Sequence, residues 1–535
     1  MRRWNGWGNT AVDYPMPEGA LAYLEQLLGR GASSIDASME ALVNHLPSSR
    51  LKAFNGISTD PVDRLLHTHG QSLPDWIALR SGQIGCSPDG VVYLNGTEQV
   101  REILDLVRRK GIQVIPYGGG TSVVGHINPV ESDAPVITLD LSPMNRLLDL
   151  DEMSRLARFE AGVAGPALEH QLNQHGYTLG HFPQSWEYST LGGWIATRST
   201  GQQSYHYGRI EDLFAGGSLE TPAGSLTLRN LPASAAGPDL RHAVLGSEGR
   251  LGIITEAAVR IRPIPEQEAF YGIFFRNWEA GSAASRALAQ ARIPVSMIRL
   301  SDAQETFTTL SLAGKPQLIR IADGILRAFG AGETRCLMIL GITANRAQFS
   351  LSKSVAFEIL RAHGGIATGT IIGAQWIKSR FRSPYLRNTL WEYGYALDTL
   401  ETAVHWSGFE DLRIAILTAL DHSFESLGLP VLRFSHISHV YPDGGSIYVT
   451  FIYPRADQPE ETLAIWQAAK RAVSDAIVAQ EGTISHQHGL GIDHLPYLQA
   501  EKGSLGMAAL ESLSQTFDPQ KIMNPGKGWA DPSTT

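Results

Sequence analysis

The chain is 535 residues long, 43% of them hydrophobic, with 53 acidic against 44 basic side chains and a formal charge of −9. That length exceeds what one core usually supports, so two or three domains are expected, and the acidic balance with no basic stripe argues against a nucleic-acid partner. Cys86 and Cys336 are the only cysteines, which argues against a disulfide framework, and no apolar run reaches the roughly 18 residues of a membrane span. Met1 to Gly8 also lacks the apolar core of a signal peptide. A cytoplasmic protein is expected, with peripheral membrane contact left open.

In chain order, residues 20–54 read as largely helical: Leu21, Leu24, Leu27 and Leu28 fall at helical spacing, and Ala37 to Leu46 forms a second helix. Glu98 to Lys110 is an amphipathic helix, followed by the strand-like run Ile112-Gln113-Val114-Ile115. Next comes Pro116-Tyr117-Gly118-Gly119-Gly120-Thr121-Ser122-Val123-Val124-Gly125-His126. Glycines let backbone N–H groups turn toward an anion, and Thr121 and Ser122 add uncharged donors, so this loop suits a diphosphate. Its spacing fits neither common alternative. Val123 stands where a dinucleotide fingerprint needs its last glycine, and His126 stands where a P-loop needs lysine.

Two further polar, glycine-bearing segments follow. The first runs from Gly180 to Thr197 and carries His181, Pro183, Ser185, Ser189, Thr190, Gly192, Gly193, Ala196 and Thr197, with Gly201, Tyr207 and Gly208 after it. The second, Gly246 to Glu256, carries Glu248, Gly249, Gly252, Ile253 and Ile254 and leads into the alternating strand Ala258 to Pro263. From Ala269 the pattern changes. Strands at Tyr271–Phe275, Cys336–Ile342 and Ser446–Tyr453 are separated by helices at Trp278–Ala291, 346–363 and 459–481, which implies an α+β cap with an antiparallel sheet. The run Asp518 to Lys527 is expected to return to the glycine-loop domain, and Pro532 to Thr535 to be a frayed tail.

The three glycine-bearing segments together resemble the FAD-binding domain of the vanillyl-alcohol oxidase type over roughly residues 80–265. That resemblance implies a flavin with its diphosphate on the Gly118 loop and its ring lined by the two later segments. Beyond it, Arg3-Trp4-Asn5-Gly6-Trp7-Gly8, Ile298-Arg299-Leu300-Ser301-Asp302, Arg387 to Tyr393, Ser446 to Phe451 and Ile484 to Gly491 resemble the alkyldihydroxyacetonephosphate synthase family. The implied plan is a helical segment at 1–77, an FAD-binding domain of two subdomains at 78–265, a cap at 266–500 and a returning segment at 501–535. The implied reaction exchanges the acyl group of acyl-dihydroxyacetone phosphate for a long-chain alcohol without net oxidation, through an adduct at flavin N5. The resemblance also implies noncovalent FAD, although His126 is a candidate attachment point, and a homodimer.

Carried over residue by residue, the resemblance makes Tyr448 the base at C1, provided its neighbours lower a pKa near 10. Arg387 clamps the substrate phosphate, which a guanidinium binds bidentately. His486 and His488 handle the acyl leaving group or the incoming alcohol, His181 and Thr190 face the flavin, and Arg299 bridges cap and cofactor. Plainer readings stand beside these: Tyr448 as packing in an apolar strand, and Arg387 as part of a solvated face with Arg380 and Arg382. A flavoprotein kept as a binding module is a third possibility. The chain departs from the family at Gln487, where the synthases have the middle histidine of three.

The alternative activity is an FAD-linked 2-hydroxy-acid dehydrogenase, which the Asp518 to Lys527 tail resembles more closely. Those relatives hold a divalent metal with two histidines and a glutamate. Here Tyr448 and Gln487 replace one histidine and the glutamate, and His436 and His439, three apart in a strand, need not share a face. No metal ligand is therefore assigned.

Overall fold

The computed structural model describes residues 1–32, 36–52, 56–312, 324, 326–327 and 330–529; the expected frayed tail at 532–535 lies outside them. The amphipathic run predicted at Glu98 to Lys110 is the helix Thr97–Lys110, ended by Gly111 in the left-handed region at φ 65°. Its apolar stripe, Val100, Ile103, Leu104 and Val107, is buried against Val92, Val114, Ile137 and Leu139 of a parallel sheet. Each such side chain contributes about 1.5–3 kcal/mol by leaving water. The sheet has three strands in the order Gly90–Tyr93, Val136–Asp140, Gln113–Tyr117. A second, five-stranded antiparallel sheet runs Leu147–Asp151, Leu156–Glu160, Ile253–Arg260, Phe214–Thr221, Gly224–Leu228. These two sheets are the two subdomains of the FAD-binding fold.

The cap is built on seven antiparallel strands in the order Ile366–Ala367, Gln267–Phe275, Cys336–Ala344, Met297–Ser301, Leu432–Val440, Gly444–Pro454, Tyr395–His405. The helices Trp278–Gln290, Arg346–Ala362, Phe409–Ser426 and Pro459–Ala479 share one apolar core with this sheet through Leu288, Leu360, Ile416 and Val473. Because successive strand residues point to opposite faces, the core takes Ile298, Leu300, Ile437, Ile447 and Val449. Their neighbours Met297, Arg299, His436, Tyr448 and Thr450 are left for the other face.

The sequence overstates helix near the N-terminus. Gly29, at φ 72°, ends the helix Glu18–Leu28, and the next, Met39–His45, begins at Ser38, whose side chain accepts from the Ala41 N–H. The far end of the chain returns across the molecule. Val114 N donates to Ile522 O at 2.8 Å and Asn524 N to Val114 O at 2.7 Å, while the Asn524 amide donates to the carbonyls of His126 and Glu248. No helix of the described residues is long and apolar enough to cross a membrane.

Candidate active site

A cavity of about 560 Å³ separates the glycine-bearing segments from the open face of the cap sheet. On one side it is lined by Pro116, Tyr117, Gly118, Gly119, Gly120, Thr121, Ser122 and Val123, which leave the C-terminal end of the parallel strand Gln113–Tyr117. A Cβ on Gly119 would collide with the Tyr188 carbonyl oxygen, so loop and neighbouring segment meet backbone to backbone. The adjoining wall is Pro183, Ser185, Ser189, Thr190, Gly192, Gly193, Ala196 and Thr197, and the third is Glu248, Gly249, Gly252, Ile253 and Ile254. Hydroxyls, backbone and small side chains dominate this surface, which fits the uncharged cradle a flavin diphosphate requires.

Glu248 is the one carboxylate among these walls, and it is occupied. Its side chain accepts from Leu490 N at 2.5 Å and Gly491 N at 2.9 Å and pairs with Arg250 at 2.8 Å. Burial would raise its pKa, but Arg250, His126 and these N–H donors outweigh burial and hold it low. The link fixes the turn carrying Gln487 and His488 against the cofactor side.

The cap side places Arg299, Tyr448, Gln487, His488 and Arg387 on the same cavity. Tyr448 lies directly across the ladder from His436 on one side and Glu401 on the other. Its ring stacks on His436 with centroids 4.7 Å apart and meets the His488 ring edge-on at 5.9 Å. The expected lowering of its pKa is absent. Burial, helped by Glu401 and Asp398, pushes the phenol up, against a Thr399 hydrogen bond and Arg299. Burial also lowers the pKa of His488, leaving a neutral imidazole beside a protonated phenol.

Arg387 comes from the helix Ser383–Glu392, where its guanidinium sits 4.3 Å over the Trp76 ring and Nη1 donates to Gln71 O at 2.5 Å. Its Nε and Nη2 are buried without a partner. A largely desolvated guanidinium with two idle donors beside a cavity has the chemistry to receive an oxyanion. Arg299 is spoken for within the protein: it donates to Glu305 at 2.7 Å and contacts His436 at 3.2 Å. Glu305, which burial alone would raise, is brought to about 2 by Arg299 and His436.

Several expected site residues do not reach the cavity. His181 is buried behind it, its ring packed on Trp194 at 4.8 Å and its Nε2 3.2 Å from Ser199 Oγ. Gly201 packs on Phe182 N and Tyr207 lies under Gly180, while Gly208 serves the turn into Ile210–Leu213. His486, expected beside the reacting carbon, stands one layer back. Its Nε2 is 2.6 Å from Tyr441 Oη and its Nδ1 is 3.2 Å from Glu401.

What the sequence did not point to is the group that holds His486. Ligand atoms of Glu401, His439 and His486 all lie within 4.8 Å of one another, a donor set of the kind a divalent ion uses. Burial would raise the Glu401 carboxyl, but His486 and His439 bring it far down, and Ser438 Oγ donates to it at 2.5 Å. A register shift between Ile437 and Val440 lets His436 and His439 both line the cavity despite their odd spacing. Trp7, Gln71, Trp76, Thr399 and His436 also line it, from parts of the chain too distant for any motif to join.

Comparison with known proteins agrees with this geometry. Residues 88–228 match the FAD binding domain model and residues 264–528 the model of the C-terminal domain of FAD linked oxidases. The chain is 34% identical over 491 residues to the alkyldihydroxyacetonephosphate synthase of Dictyostelium discoideum, covering 89% of this chain and 79% of that one. It is 30% identical to the Trypanosoma brucei brucei enzyme of the same name, over 98% and 92% of the two chains. A solved structure of alkyldihydroxyacetonephosphate synthase superposes with a TM-score of 0.85 at 28% identity, over 98% of each chain. With the flavin cradle, the cap sheet and its cavity-facing tyrosine all in place, the chain belongs to the alkyldihydroxyacetonephosphate synthase family of FAD-dependent enzymes.

Proposed function

We propose that this enzyme converts acyl-dihydroxyacetone phosphate and a long-chain alcohol into an alkyl ether and a free fatty acid. The observation that carries the reading is Arg387, which lines the cavity with Tyr448 and His488 and whose buried Nε and Nη2 have no protein partner. In this reading Arg387 holds the substrate phosphate, which orients C1 toward the cap sheet. The acyl group leaves as carboxylate with its own oxygen, the alcohol oxygen forms the new bond to C1, and the alcohol proton balances the carboxylate. When bound, FAD supplies a reversible electrophile and electron sink for C1.

The protein's own task is then to move protons and hold the reactants. Since the Tyr448 phenol stays protonated, it takes a proton from C1 only by passing its own onward, and the neutral His488 is the acceptor beside it. Gln487 can donate or accept a hydrogen bond but carries no proton for acid chemistry. His486, behind Gln487, holds the turn through Glu401 and Tyr441. The same reading includes peripheral membrane contact, supported by Ile371, 81% exposed on the helix whose Trp376 lines the cavity. It also includes a cytoplasmic location, in keeping with two cysteines far apart in sequence, and, by likeness to the family, noncovalent flavin and a homodimer.

The test is the anaerobic visible spectrum as acyl-dihydroxyacetone phosphate and then a long-chain alcohol are added without an electron acceptor. The oxidised flavin band is expected to fade and return with ether product. Lasting bleaching by a 2-hydroxy acid, reversed only by an acceptor, would overturn the synthase in favour of a dehydrogenase.

A further inference from the structure

The segment Arg2–Asn9 is held by Gly119 and Gln71, which line the cavity, and by Arg80, Tyr385 and Asn388 beyond its lining. Arg2 Nη2 donates to Gly119 O at 2.5 Å, and its guanidinium lies 5.0 Å over the Tyr188 ring. Arg80 Nε donates to Asn5 O at 2.8 Å, and Gln71 Nε2 to Gly6 O at 3.4 Å. The Asn388 side chain reads both backbone polar groups of Trp7, accepting from its N–H at 3.1 Å and donating to its carbonyl at 3.0 Å. Gly8, at φ 84°, lies so close on the Tyr385 ring that a Cβ would collide with it. The segment thus joins the diphosphate loop, through Gly119, to the residue next to Arg387.

Within this strap Trp7 stands apart. It is 6% exposed, its ring meets Tyr188 edge-on at 5.6 Å, and it lines the cavity, yet its indole Nε1 is buried without an acceptor. A buried N–H with no partner costs about 1–3 kcal/mol, a cost removed when a ligand supplies the acceptor. The cavity it lines also receives Arg387 from the cap helix, a cationic side chain with two buried donors that have no protein partner, so the missing partner is an anionic oxygen.

We infer that the Trp7 indole N–H donates to a phosphoryl oxygen of a bound molecule, and that Trp7 is a binding residue which the strap carries to the cavity. The phosphoryl group belongs either to the flavin diphosphate or to the phosphorylated substrate. The inference rests on the reading of the cavity as an FAD and acyl-dihydroxyacetone phosphate site.

Trp7→Phe keeps the aromatic wall and removes only the donor. The full-length variant is stripped of flavin and titrated with FAD by fluorescence quenching. The reloaded enzyme is then titrated with acyl-dihydroxyacetone phosphate. A roughly ten-fold or greater loss of FAD affinity with unchanged substrate affinity assigns the donor to the cofactor, and the reverse assigns it to the substrate. Unchanged values for both would overturn the role of Trp7. Failure of the parent enzyme itself to bind FAD would instead overturn the cofactor reading.

Discussion

At the scale of single residues, burial decides the chemistry more than residue type does. Tyr448 faces the cavity, yet its surroundings keep it protonated, so in the proposed reaction its role depends on the neutral His488 beside it. Tyr448→Phe is expected to lower the rate of ether formation about 10²- to 10⁴-fold, the range of a lost proton-transfer group, while FAD content stays unchanged. Product formation by mass spectrometry, alongside the flavin-to-protein absorbance ratio, checks this. Glu401 is the opposite case, a fully buried carboxylate held ionised by the histidines around it. Glu401→Gln leaves His439 and His486 without that charge and is expected to cost about 1–3 kcal/mol, read as a lower urea midpoint. The sequence made Tyr448 and His488 visible through the family resemblance, but Glu401 sits in no motif. Only the ladder pairing of Tyr395–His405 with Gly444–Pro454 brings it next to Tyr448.

Among the elements, the glycine loop and the cap strands place the site by different means. The loop is local: its glycines allow backbone approach, and its position after the strand Gln113–Tyr117 was legible from composition and order. Gly119→Ala would drive a methyl group into the Tyr188 carbonyl and displace the cradle. The purified variant is expected to lose most of its FAD, seen as a fall in the absorbance ratio, with near-normal helical circular dichroism. The cap strands work through alternation. Their apolar half was legible as period-two pattern, but the identity of the facing half was not, since Met297 and Arg299 come from a strand far in sequence from the pair that carries His436 and Tyr448. The bulge after Ile437 also turns His439 to the cavity, and a single bulge leaves no mark in residue spacing.

Across the whole molecule, the packing of cap against flavin domain buries histidines in numbers that tie stability to pH. His126, His181, His206, His439, His488 and His494 all have pKa values lowered from 6.5, burial being the largest cause in each, with His181 at about 3 and His206 at about 4. The unfolded chain therefore binds more protons than the folded one below about pH 6.5, so stability falls as pH drops through that window. Asp493, raised to about 7 by burial, acts in the reverse sense over the same range, and the carboxyls of Glu169, Glu187, Asp302 and Asp518, also raised by burial, act in that sense from their lower ordinary values. Lys527, lowered to about 7 by burial, extends the rise of stability with pH to the alkaline side. The melting temperature is expected to be lower at pH 5.5 than at pH 7.5. An unchanged or higher value at pH 5.5 would contradict this account.

Local pattern in the sequence was enough for the domain classes, the Thr97–Lys110 helix, the loop that receives the diphosphate and the strand that carries Tyr448, because glycine content and apolar periodicity act over a few residues. The candidate anion-binding arginine was marked by the family resemblance of the run from Arg387 to Tyr393, not by local pattern. The tertiary structure alone decided that His181, Gly201, Tyr207, Gly208 and His486 stand behind the cavity wall, that Glu401 and His439 gather around His486, and that Trp7 closes the site from nearly four hundred residues away in sequence. Those outcomes depend on strand register, a bulge and the docking of one half of the chain on the other, and contacts of such long range leave no period or spacing for a sequence to display.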